Sequence, residues 1–334
     1  MKKILLSFIW LLFAGNCFAA ALVQYVDTDV SGGDGSSWAN AYASLSAWEA
    51  QNLNLTDNGG DTLTVYCRGT AADTTRVIID GWITSATYTI TIIGDFNGTY
   101  STSKYRLALS AAVGSGLFIR DDYITVSNFQ VIHAGTSGTA DIGIEISDVF
   151  RTGITIKNSL IVGGYRGIIT ASDSASNTRT FINCILYDSY YTGISAASAN
   201  AATAIYNCTV VDCGHGKANA DSDGISNSTS TIIQNTIVYN SYAEDFNAAS
   251  GSYNLSSDAT ASGTGSLINQ SDPFVAYSSN NFHIAVGSNP IGAGTDLSGT
   301  FTNDIDGDTR SSWDIGADEY VSVTTTKLYI MVVE

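Results

Sequence analysis

Apolar residues in this chain fall in short runs broken by turn residues, and five of those runs share one frame. VSNFQV (126–131), IKNSLI (156–161), FINCIL (181–186), IYNCTV (205–210) and IQNTIV (233–238) align on Asn128, Asn158, Asn183, Asn207 and Asn235, at intervals of 30, 25, 24 and 28 residues. Two positions before each Asn stand Val126, Ile156, Phe181, Ile205 and Ile233; three positions after it stand Val131, Ile161, Leu186, Val210 and Val238. All ten are apolar in a chain that is 44% hydrophobic, an agreement expected by chance roughly 3 times in ten thousand, so composition alone does not produce it. A second column runs through Gly143-Ile144, Gly167-Ile168, Gly193-Ile194 and Gly224-Ile225, with Asp245-Phe246 in the same place of the next unit.

Each unit therefore reads as a Gly-Ile strand, an apolar strand ending at Asn, a bend, another apolar strand and a variable connection. Strands this short bury no core alone, but coils stacked about 4.8 Å apart share one apolar interior. Asn suits the bend because it tolerates left-handed backbone, and stacked Asn side chains can bond along the axis. Two prolines in 334 residues fit strands that each need their N–H for the neighbouring coil. A β-sandwich would alternate without such a registered period. The pattern predicts an all-β, single-stranded right-handed parallel β-helix of roughly ten coils over 22–320. Further strands are expected at Thr62–Cys67, Val77–Ile79, Thr89–Ile93 and Tyr123–Val126, and a short N-terminal capping helix near Ala41–Asn52 with Trp38, Leu45 and Trp48. Residues 321–334 read as a strand-like tail.

Composition changes the picture in two ways. Of 31 acidic residues 26 are Asp and 5 Glu, a bias toward turns over helices. The net charge of -17 excludes nucleic acid as partner, since phosphate binding needs clustered Lys and Arg. At the start, Lys2 and Lys3 precede an apolar run from Ile4 to Ala14 and small residues through Ala19–Ala21. This is a secretory signal peptide pattern over 1–21, too short to span a bilayer. No later segment reads as a membrane span, so a secreted or cell-surface location is expected.

With these features the chain resembles the right-handed parallel β-helix proteins of the pectate-lyase-like superfamily. YVDTDVSGGDGSSWANAYASL (25–45) is similar to the opening of secreted bacterial members, and DIDGDTRSSWDIGADEY (304–320) to their close. The resemblance implies a substrate groove along the Gly-Ile sheet and work on or with extracellular polysaccharide, as a glycoside hydrolase or lyase. The alternative is a non-catalytic surface adhesin or structural solenoid. Cys184 and Cys208 each follow a bend Asn, one coil apart, within reach of a disulfide; a stacked pair of free thiols is the other reading. Cys67 lies coils away.

Around the Gly column stand the densest acids, bases and aromatics of the chain. Inverting hydrolysis needs two carboxylates roughly 6.5–9.5 Å apart, and Asp223 with Glu244 or Asp245 falls on adjacent coils. His215 is a candidate base, and Arg166, Tyr165, Tyr190, Tyr191, Lys217 and Asp221 are candidate substrate contacts. Tyr165, Tyr190 and Tyr242 all lie seven positions after a bend Asn, which suggests a stack along one side. GHGKANADSDGI (214–225) is similar to polygalacturonase motifs, which carry a GHG triplet and an NTDG-type strand opening. Here the order is inverted, Asp221 stands where the motif has Asn, and no Arg-x-Lys follows His215, so a chance triplet in a Gly-rich chain is expected. A lyase would want calcium or basic residues to neutralise a uronate, and the acidic surface disfavours a polyanion. No cofactor is required; calcium at Asp304, Asp306 and Asp308 is possible through oxygen ligands, against plain turn-forming Asp paired with Arg310.

Overall fold

A computed structural model describes residues 21–322 apart from 58–59, 112, 137–139, 147–150, 171–176, 197–201, 217–219, 228–230 and 248–250. Residues 1–20 of the signal segment, Lys217 and all but the first two residues of the 321–334 tail lie outside the described residues. Three parallel sheets wind into a β-solenoid. The first has nine strands, from Leu22–Asp27 through Ile124–Ser127, Ile154–Lys157, Thr178–Ile182 and Ala202–Tyr206 to Gly251–Ser252. The second and third have seven each, running from Leu107–Leu109 to Leu255–Ser256 and from Val77–Ile79 to Phe246–Asn247. Six coils contribute a strand to all three sheets, with incomplete coils at both ends. Ten were expected; the shortfall arises because the terminal rungs close with caps instead of full turns.

The register is the one read from the repeat. Ile156 pairs with Val126 and Phe181, and Phe181 with Ile205. Val131, Ile161, Leu186, Val210 and Val238 likewise stack in the second sheet. All ten are buried. The five bend asparagines have φ between 48° and 55°, the left-handed region in which other L-residues with a Cβ are strained. Asn183 Nδ2 donates to Asn158 Oδ1 and Asn235 Nδ2 to Asn207 Oδ1, each at 3.1 Å.

The Gly column has a steric cause. A Cβ on Gly143 would lie 2.6 Å from Gly167 O, one on Gly167 2.6 Å from Gly193 O, and one on Gly193 2.7 Å from Gly224 O. The same positions press on the inward side chains of Ile161, Leu186 and Val210. The third sheet thus meets the second at a corner with no room for a side chain.

Both ends are capped. The helix Leu45–Glu49, with Ser44 Oγ accepting from Ala47 N at 3.1 Å, buries Leu45 and Trp48 over the first rung. Trp48 stacks on Trp82 with ring centroids 4.9 Å apart. Beyond the last rung Leu255 bridges Leu267, and Ala261 closes the core.

The closing segment 304–320 is no end cap. It lies along the outside of the rod, over the asparagine bends and the second sheet. Gly316 N donates to Asn235 O at 2.7 Å, Asn207 Nδ2 to the carbonyls of Asp314 and Gly316, and Ala317 N to Thr209 Oγ1. The cause is an outward apolar face: Leu160, Ile185, Val211, Ile237 and Leu255 form a second cluster with Ile305, Ile315 and Ala317. Parallel strands buried on both faces need such a cover.

Polar groups lock the segment in place. Arg310 is buried, faces Glu319 Oε2 at 3.5 Å, and donates to Asn183 Oδ1 and to the carbonyls of Gly316 and Ala317. Burial would raise Glu319, but hydrogen bonds from the backbone N–H groups of Asp314, Ser312 and Ser311 outweigh it and hold the carboxyl below its usual range. Cys67, Cys184, Cys208 and Cys213 are free, buried thiols, so the stacked-thiol reading describes Cys184 and Cys208.

Asn207→Ala should destabilise the fold more than Asn207→Gly by about 1–2 kcal/mol, because only Ala carries the left-handed backbone penalty. Arg310→Met should cost about 3–5 kcal/mol by stranding Glu319. Urea titrations of both sets check these values; equal losses for Ala and Gly at 207 would refute the bend argument.

Candidate functional site

The expected acid pair is on adjacent coils, as its register required, since Gly224 N donates to Glu244 O at 2.9 Å. Beyond the larger effect of burial, the charges of Glu244 and Asp221 also raise the Asp223 carboxyl. Asp223 is buried, its Oδ2 accepting from Asn247 Nδ2 at 2.8 Å while Oδ1 has no partner among the described residues. Asp245 is buried too, with Oδ1 accepting from Ser241 N at 3.0 Å and Oδ2 from Ser257 N and Oγ at 2.6 and 2.7 Å. Glu244 is exposed. Asp245 instead organises the turn that leads into the C-terminal cap. Burial raises both Asp223 and Asp245 above the usual carboxylate range, against their hydrogen bonds.

The aromatic contacts do assemble. Tyr165 lies 5.9 Å from Tyr190 and 5.1 Å from Tyr191 between ring centroids, and the Arg166 guanidinium sits 4.9 Å over Tyr191 and 5.2 Å over Tyr165. Adjacent rungs bring them together: Tyr191 N donates to Tyr165 O and Tyr190 N to Gly164 O. The stack stops there. One coil further the equivalent position is Gly214, and Tyr242, another coil on, meets the edge of His215 at 6.1 Å. Gly216 of the GHG triplet lies flat on the Tyr190 ring, where a Cβ would come within 2.0 Å. Gly216 of the triplet is thus packed against that ring, while His215 lines a neighbouring cavity. Asp221 is exposed.

A column that the sequence reading passed over lies five positions after each bend Asn: His133, Gly163, Asp188, Asp212 and Asn240. It forms the second corner of the coil, and Gly163, Asp188, Asp212 and Asn240 all have positive φ, from 52° to 73°. The regular offset from Asn was the available signal. Asp188 and Asp212 stand on successive rungs beside a cavity of about 310 Å³ that Tyr190, His215 and His133 also line. Asp212 Oδ1 accepts from Tyr277 OH and from Asn240 Nδ2 at 2.5 Å, and Asn240 Nδ2 also reaches Tyr277 OH at 2.7 Å. His215 Nε2 donates to Asn240 O at 2.8 Å. Loss of hydration around Asp188, and then the charge of Asp212, raise its carboxyl above the usual range, with His215 opposing. His133 is tied down inside, its Nδ1 accepting from Gly135 N and its Nε2 donating to Gly114 O.

The calcium triplet does not converge. Asp304 is fully buried and spends Oδ1 on the N–H groups of Asp306 and Asp308 and Oδ2 on that of Glu319. Asp306 instead faces His283, and Asp308 is exposed.

No family model matches this chain, and no curated protein does. Among solved structures, the crystal structure of pectate lyase Pel9A is similar, with 14% identity over 90% of this chain and 97% of that chain, and a TM-score of 0.48. No helix among the described residues is long and apolar enough to cross a membrane.

Because burial raises Asp223 and Asp245 in the folded state alone, that state binds protons more readily than the unfolded chain. Stability should therefore increase as pH falls from neutral through the raised values toward the ordinary carboxylate value. Thermal unfolding should occur at a higher temperature at pH 5 than at pH 8. Asp223→Asn, which keeps an acceptor for Asn247 and removes the buried charge, should narrow that difference. A wild-type midpoint that is higher at pH 8 would contradict this account.

Proposed function

We propose that this protein is an exported polysaccharide-active enzyme that binds a sugar chain along the second corner of its coil and hydrolyses it with Asp188 and Asp212. The observation that carries this reading is one pair of carboxylates on neighbouring rungs, placed differently, beside a cavity that Tyr190 and His215 also line. Asp188, partly desolvated and next to a like charge, is suited to hold a proton and deliver it to the glycosidic oxygen. Asp212, oriented by Tyr277 and Asn240, is suited to act on the anomeric carbon. Rungs about 4.8 Å apart favour the close spacing of about 5–5.5 Å used in retaining hydrolysis over the wider inverting one. Tyr190 and Tyr191, half-buried and backed by the buried Tyr165, offer flat apolar faces with polar tips to sugar rings. The excess of acid over base, with Asp188, Asp212 and Asp221 at the site, favours a neutral chain over a uronate polymer.

A second reading keeps the same surface without chemistry: an adhesin. The engagement of Asp212 by Tyr277 and Asn240 favours it, because a carboxylate so held can serve as a fixed acceptor for sugar hydroxyls.

Incubating the secreted protein with a panel of neutral and acidic polysaccharides, and measuring new reducing ends, tests both. Hydrolysis of a neutral polymer is expected, with Asp188→Asn and Asp212→Asn each lowering kcat about 10²–10⁴-fold. The alkaline limb of the rate profile should follow the Asp188 proton and disappear with Asp188→Asn. Full activity in both variants would refute the site, and binding without new ends would assign the surface to adhesion.

A further inference from the structure

His283, Asp306 and Asp318 come from two elements that the fold lays side by side. His283 is on the strand Asn281–Ile284, which pairs antiparallel with Phe274–Ala276, and the two acids are on the closing segment. One donor atom from each lies within 4.8 Å of the other two; bonds of about 2.0–2.2 Å to a shared ion set such atoms about 3–4 Å apart, so a small side-chain adjustment closes the set. His283 Nδ1 lies 2.5 Å from Asn281 Oδ1, a carbonyl oxygen that only accepts, so Nδ1 carries hydrogen. Nε2 is then the nitrogen aimed at the acids, 2.8 Å from Asp306 Oδ2. An outer acceptor that orients the ligating nitrogen in this way is the usual support of a metal-bound imidazole. Asp318 is only 6% exposed, and its Oδ2 accepts from Ile284 N at 2.7 Å, which fixes the carboxylate beside the imidazole.

We propose that His283, Asp306 and Asp318 form a binding site for a divalent transition cation of the zinc type, which staples the closing segment to the neighbouring hairpin. One imidazole and two carboxylates suit zinc or manganese better than calcium, which prefers oxygen alone. Asp306 is solvent-accessible, so water can complete the coordination sphere. The backbone of Gly98 abuts Asp306 from the other side, and the staple therefore also holds the segment against the loop before the second sheet.

Calorimetric titration of the EDTA-treated full chain with ZnCl₂, together with thermal unfolding, tests the proposal. One zinc per chain and a midpoint that rises with zinc concentration are expected. His283→Gln and Asp306→Asn should each weaken binding at least about tenfold, and Asp308→Asn, on the same segment, should leave it unchanged. Zinc bound equally well by His283→Gln and Asp306→Asn, no binding by the wild type, or calcium raising the midpoint as much in wild type as in His283→Gln would each overturn it. Should His283→Gln lack a cooperative transition, the accessible Asp306→Asn carries the test alone.

Discussion

Backbone stacking between coils is the constraint on which this molecule depends. Each rung donates its N–H groups to the rung beside it, so the chain must return to the same place after every turn with its corners superimposed. Superposition leaves no space at the first corner for anything but glycine, where Gly143, Gly167 and Gly193 would each drive a Cβ into the next carbonyl. It demands left-handed backbone at the asparagine bend, which Asn128, Asn158, Asn183, Asn207 and Asn235 provide. The inward apolar columns follow from the same return, because a side chain above another of its kind fills the interior without voids.

Features that repeat with the coil were legible in the sequence for this reason. The Asn frame, the Gly-Ile frame, the inward columns and the aromatic group around Tyr165 all recur at one offset, and an offset survives into space when every turn superimposes on the last. The capping helix was legible too, through Leu45 and Trp48 set near turn residues. Two things were not. The DIDGDTRSSWDIGADEY segment has no period, and its position is set by the apolar outer face of the second sheet. A sequence shows that face as apolar residues adjacent to the inward ones without saying which side each takes. Leu160 and Ile161 are both buried, for different reasons.

The acid assignments show the same limit at finer grain. Charge density drew attention to Asp223, Glu244 and Asp245, and the coil register placed them correctly. Whether a carboxylate faces solvent or serves the backbone depends on the local turn, and Asp245 and Asp304 are taken up by N–H groups that would otherwise be unpaired. An Asp-rich chain with many irregular turns must spend much of its acid in this way. The surplus of Asp over Glu therefore measures turn demand as much as chemistry.

Asp188 and Asp212 differ from those acids because of where the corner puts them. Both occupy positive-φ positions, at which the backbone turns away and carries the side chain outward over the edge between two sheets. The next residues do not wrap back to donate to them. Asp212 finds its hydrogen bonds instead from side chains, Asn240 one coil on and Tyr277 from the hairpin beyond the solenoid. Asp188 sits partly desolvated between its like-charged neighbour Asp212 and the opposing His215. Residues equivalent by repeat thus become unequal in environment, because the hairpin laid against the rod bonds Asp212 through Tyr277 but meets the neighbouring rung at Tyr187 through Phe282. That asymmetry, imposed by an irregular element on a regular one, is what gives two aspartates of one column different surroundings.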